Sequence, residues 1–131
     1  MPNIVQTALA AILLVMAVPA VAAEAEQWKC RNTDFELACS EGKCEVSDSF
    51  TPMDINVSAE ELSICAYTGC WTGEPVFVQD GPFVYASSRS LKWSHNDTTV
   101  AFQLVINRDS KLGTVLGELV GVLHCEVDPQ P

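Results

Sequence analysis

Six cysteines at Cys30, Cys39, Cys44, Cys65, Cys70 and Cys125 constrain this chain more than any other feature. All of them follow a leader-like segment, their number is even, and no two are adjacent. Exported small domains use paired thiols as a disulfide framework, because oxidising compartments let the bridges persist and a small core needs them. Six cysteines allow fifteen pairings, and two local features narrow the choice. Cys39–Cys44 and Cys65–Cys70 share a C-x4-C spacing with a glycine in each interior. A short hairpin places such flanking positions opposite one another, at the Cα separation that a disulfide requires. Cys30 and Cys125 then remain, close to the two ends of the chain after the leader. The expected bridges are 39–44, 65–70 and 30–125. A zinc site made from the two C-x4-C units is the competing reading. Its spacing is loose and export favours oxidation, so no metal is expected.

Residues 8–23 read ALAAILLVMAVPAVAA, an uncharged apolar run followed by Glu24-Ala25-Glu26-Gln27. The run is short for a membrane span and ends in small residues suited to signal peptidase, although the leading MPNIVQT has no Lys or Arg. Residues 1–23 are therefore expected to be a signal peptide and 24–131 one disulfide-bonded domain. That domain would be secreted or periplasmic, with no membrane span once the leader is gone. All 17 acidic and 7 basic residues fall after residue 23, for a net charge of −10. This acidity disfavours nucleic acid and anionic lipid as partners and leaves a basic protein as the partner it suits.

Short runs rich in Val, Ile, Phe, Thr and Trp, cut by Gly, Pro, Asn, Asp and Ser, predict an all-β fold. Candidate strands cover 28–32, 35–39, 44–48, 54–58, 62–67, 75–79, 83–87, 91–94, 98–107 and 114–127. In 98–107 the period of two puts Val100, Phe102, Leu104 and Ile106 on one face. In 114–127 Val115, Leu119, Leu123, Cys125 and Val127 fall on one side, while Glu118, His124 and Glu126 point away. Gly117 and Gly121 mark coiling, a bulge or close backbone approach. The expectation is a small antiparallel meander, closed or partly open as a barrel of about eight strands, with a two-sheet sandwich as the alternative. Residues 58–63 would form at most one helical turn.

The chain carries no nucleophile elbow, no HExxH pair and no phosphate-binding glycine loop, so no catalytic residue and no cofactor is assigned. His124 reads as a surface histidine among carboxylates. His95, in SHNDTT, reads as a turn residue, with a serine nucleophile nearby as the minor alternative. The segment CAYTGCWTG (65–73) has the most binding character. A bridged hairpin would hold Tyr67, Thr68 and Trp71 rigidly, and Tyr and Trp are common interface anchors. The favoured reading of these two aromatics is nonetheless that Tyr67 and Trp71 fold back to cap the open end of the sheet.

In architecture residues 24–131 resemble small envelope or secreted barrels, including lysozyme inhibitors and lipocalin-type carriers. No inhibitory or ligand-contact residue of those groups carries over to a numbered position here. The first expectation is thus a binding or inhibitor-type module acting through protein contact. The alternative is a carrier of a small apolar ligand, with Phe102 and Leu104 lining its cavity. An enzyme comes third.

Overall fold

Alternation of apolar and polar residues dominates the architecture. In the computed structural model, Phe102, Leu104 and Ile106 are buried while Ala101, Gln103 and Val105 between them are exposed. The structure describes residues 18–19, 25–117 and 119–129, with the side chain of Cys39 excepted. The leader expected at 1–23 lies outside these, Val18 and Pro19 apart. Among the described residues no helix is long and apolar enough to cross a membrane.

Ten strands follow in order: β1 (Trp28–Ser40), β2 (Lys43–Ser47), β3 (Met53–Val57), β4 (Leu62–Ala66) and β5 (Gly69–Gly73) make up the first half. β6 (Val76–Asp80), β7 (Phe83–Trp93), β8 (Thr99–Asn107), β9 (Leu112–Leu116) and β10 (Gly121–Val127) complete the chain. Eight of them close an antiparallel ring in the order β1-β3-β4-β5-β7-β8-β9-β10, sealed where β10 returns to β1 with Trp28 opposite Val127 and Cys30 opposite Cys125. Closure removes the exposed edges that an open sheet would present. The remaining strands are extensions: β2 pairs with the far end of β1, and β6 with the near end of β7.

Every strand of the ring sends alternate residues inward, and these fill the barrel. Trp28, Ile55, Leu62, Ile64, Val84, Leu91, Phe102, Leu104, Ile106, Val115 and Leu123 are all at most 2% exposed. An eight-stranded ring has an interior of the width that side chains alone can fill. The Cys30–Cys125 bridge lies within this core, its residues 1% and 6% exposed, and ties the first strand of the ring to the last. Cys65–Cys70 bridges neighbouring strands on the outer surface instead. The expected 39–44 bridge involves a side chain outside the described residues. Backbone register sets Cys39 opposite Cys44, and Cys44 is disulfide-bonded. Such bridges belong to an oxidising environment, extracellular or periplasmic.

Three expectations about elements need correction. Residues 28–32 and 35–39 form one strand, β1, which stays continuous through an irregularity between Asn32 and Glu36. The runs 83–87 and 91–94 likewise belong to one long strand, β7, with a register shift between Ser88 and Leu91. The run 114–127 is two strands. The chain reverses after Gly117, and Gly121 pairs back onto Val115. A Cβ on Gly117 would stand 2.3 Å from Phe102 Cδ1 and 2.6 Å from the Ala101 carbonyl oxygen, so the reversal packs against β8 more closely than any side chain permits. The possible helical turn at 58–63 is a short bend leading straight into β4.

Asn32 is a buried polar anchor that the sequence reading missed. It is 4% exposed; its side-chain amide donates to the Thr51 carbonyl at 2.7 Å, and its Oδ1 accepts from the Met53 N–H at 2.7 Å. Both links fasten the segment entering β3 to β1.

Candidate functional site

One end of the barrel gathers the β1–β2 hairpin, the β4–β5 tip, the β7–β8 loop and the reversal after β9. The β4–β5 tip is a two-residue turn, because Ala66 and Gly69 are the last paired residues. Cys65 and Cys70 face each other one step below, and their Cα atoms are 4.0 Å apart. Tyr67 occupies the first turn position at φ +56°. That left-handed conformation suits glycine and is costly for a bulky side chain. Tyr67 is nevertheless 73% exposed, so nothing the ring packs there offsets the strain.

Behind the tip, the β7–β8 loop braces the turn. His95 Nε2 donates to the Thr68 carbonyl at 2.8 Å. The Cys70 N–H donates to Ser94 Oγ at 3.1 Å, and the Ser94 N–H donates to the Cys70 carbonyl at 2.9 Å. The Trp93 indole lies across Gly69, where a Cβ would come within 2.7 Å of the ring. Backbone, disulfide and neighbouring loop thus hold the Tyr67-Thr68 turn from three sides.

Trp71 is placed differently from its two companions. It pairs with Ile64, whose side chain is buried, and so points inward. There it packs at a tilt against Trp93, with ring centroids 4.4 Å apart, and against Phe102 at 5.5 Å. Half-buried, it closes the end of the core beneath the turn. The structure therefore separates the candidate residues: Tyr67 and Thr68 form the displayed tip, and Trp71 belongs to its foundation. His95 joins them as a positioning residue. The sequence shows it only as a polar loop residue, because its partner is 27 positions away.

Charge is distributed unevenly around this end. The segment 34–48, comprising most of the β1–β2 hairpin, holds five carboxylates and a single lysine. Asp34 accepts from His124 Nε2 at 2.8 Å, and that hydrogen bond lowers the Asp34 pKa below the usual aspartate value. The carboxylate partner of His124 is thus on β1; Glu118 lies outside the described residues. On the outer face of β3, β1 and β10, a groove of about 560 Å³ is lined by Lys29, Arg31, Asp54, Asn56, His124 and Glu126. Its cations are matched: Arg31 meets Asp54 at 2.7 Å and Lys29 meets Asp128 at 3.2 Å. Another groove runs from Asp54 to the Tyr67-Thr68 turn. At the opposite end of the barrel, Arg108 forks onto both Glu26 oxygens at 3.0 and 2.9 Å and donates to the Gly81 carbonyl at 2.9 Å. This contact draws the Glu26 carboxyl below its ordinary pKa.

Comparison with known proteins adds no assignment to this geometry: no family model, no curated protein and no solved structure matches the chain.

Proposed function

We propose that this protein is an exported binding module of the inhibitor type, which engages a basic protein through the Tyr67-Thr68 turn and the acidic hairpin at the same end of the barrel. One observation carries the reading. A large aromatic side chain stands 73% exposed at a backbone position, φ +56°, where glycine would fold with less strain. Strain held at a surface turn, with no packing in return, is the pattern of a residue kept for contact. The turn is also pre-ordered by its bridge and by His95, so little entropy is lost when a partner closes on it. The carboxylates of 34–48 supply steering toward a cationic surface. The carrier reading has no comparable support: Phe102 and Leu104, which would line its cavity, are 1% and 0% exposed and pack in the core.

Tyr67→Gly separates contact from folding. Glycine adopts the turn conformation freely, so the variant should match or exceed the parent in stability, by up to about 1 kcal/mol. Oxidised mature protein should capture a basic partner from its native compartment, and capture should weaken with added salt and be lost with Tyr67→Gly. Equal recovery of the same partner by parent and variant would overturn the proposal. So would a loss of several kcal/mol in stability, which would make Tyr67 a structural residue.

A further inference from the structure

The outer surface has two contrasting sides. Around β3, β1 and β10 it carries paired charges, whereas across the ring, on β6 to β9, it is apolar. Val76 and Val78 on β6, Phe83 on β7, Val105 on β8, and Leu112 and Leu116 on β9 are between 39% and 65% exposed. Between residues 25 and 129 these are six of the nine large apolar side chains described as exposed. The ladders join them: Val78, Tyr85, Val105 and Thr114 form one row, and Phe83, Asn107 and Leu112 the next. Val76, Ser87, Gln103 and Leu116 form a third. No two of the six are directly paired. Tyr85 joins Val78 to Val105 along the middle row, and diagonal neighbours about 7–8 Å apart set Phe83, Leu112 and Leu116 beside Val105, while Val76 lies next to Val78 along β6, so the six make one patch. A contiguous apolar patch on a soluble domain marks a contact surface.

We infer that a second copy of this chain covers the patch, forming a two-fold dimer. The arrangement of charges at its borders selects that occupant. Asp80 ends β6 on one flank, and Lys111 immediately precedes Leu112 of β9 on the other. The register Asp80–Phe83–Asn107–Leu112 sets both at the same end of the strands. A two-fold axis parallel to the strands lays β6 of one copy over β9 of the other. Asp80 then comes over Leu112 of the other copy, one residue from its Lys111, and the contact occurs twice. Val76 comes over Leu116, and Tyr85 over Val105. The outward positions within the three rows hold no carboxylate except Asp80 at the border, so two bodies of charge −10 meet through the face least burdened by like charge. Sheets packed face to face with strands nearly aligned are a standard arrangement, and a two-fold contact must be complementary to itself, as this one is. The same axis leaves both Tyr67 turns pointing in one direction.

Sedimentation equilibrium on the oxidised protein, from low micromolar to near-millimolar concentration, tests the inference. The expected result is a monomer–dimer equilibrium. Val105→Glu and Leu116→Glu should each weaken association at least about tenfold, because each buries a carboxylate in the contact. Asp80→Lys should weaken it too, and Asp80→Lys combined with Lys111→Asp should restore it. All four positions are on the surface, and unchanged far-ultraviolet circular dichroism verifies the fold. A monomer throughout the range would overturn the inference, as would a dimer indifferent to Val105→Glu and Leu116→Glu. Failure of the charge swap to restore association would overturn the two-fold geometry.

Discussion

Replacing Cys30 and Cys125 together by alanine should destabilise the protein far more than the same change at Cys65 and Cys70. The bridges close chain segments of very different length, 95 residues apart in one case and 5 in the other. If a bridge acts mainly by restricting the unfolded chain, the first contributes about 4.7 kcal/mol and the second about 2. Location adds to the difference. Cys30 and Cys125 are 1% and 6% exposed in the core, and removing two sulfur atoms leaves a void costing roughly 1 kcal/mol more. The outer bridge leaves no such void. Alanine is the right replacement, since serine would bury two hydroxyls. A domain of this size has only about 5–10 kcal/mol in total, so the interior variant should be marginal while the outer one stays firmly folded. Urea unfolding of parent and variants, followed by tryptophan fluorescence, gives the midpoints and slopes needed. Equal losses at the two sites would refute the reasoning and assign the stabilisation to local packing rather than to chain restriction.

Asn32→Ala should cost about 2–4 kcal/mol, because it leaves the Met53 N–H and the Thr51 carbonyl without their partner at the entry to β3; a change under about 0.5 kcal/mol would show that water replaces the amide. Gly117→Ala should lower the melting temperature by several degrees, since the added Cβ would lie 2.3 Å from Phe102 and 2.6 Å from backbone oxygen, and a neutral result would mean the reversal shifts freely. Hydrogen bonds from Arg108 lower the folded-state pKa of Glu26. The stabilisation from that group is therefore complete above its unfolded pKa and is lost as pH falls through the lowered folded value. Glu26→Gln should accordingly be less stable than the parent near neutrality and converge with it in acid, as checked by melting temperature against pH; a constant gap would exclude the ion pair as the cause.

Much of the fold was legible because its signals are local. The period of two in 98–107 states which residues face inward without reference to any neighbour, and Phe102, Leu104 and Ile106 are buried accordingly. The C-x4-C spacing at Cys65 and Cys70 needs only a hairpin. The 30–125 bridge follows from a meander whose first and last strands must meet when the sheet closes. What escaped depends on register and on contacts between distant segments. Residues 114–127 read as one strand because the spacing of Val115, Leu119 and Leu123 runs straight through the reversal; only the space against Phe102 reveals the turn at Gly117. Tyr67 and Trp71 are four positions apart and look alike in the sequence. The two-residue turn and the pairing with Ile64 send one to solvent and the other onto Trp93. His95 acquires a partner only because the β7–β8 loop folds against the β4–β5 tip. The apolar outer face is assembled from four strands, each contributing one or two residues that singly are ordinary surface positions. Local alternation and cysteine spacing thus determined the class of fold and the 30–125 and 65–70 bridges, whereas ring closure decided which side chains stand together, since adjacency across strands is set by pairing register and not by order along the chain.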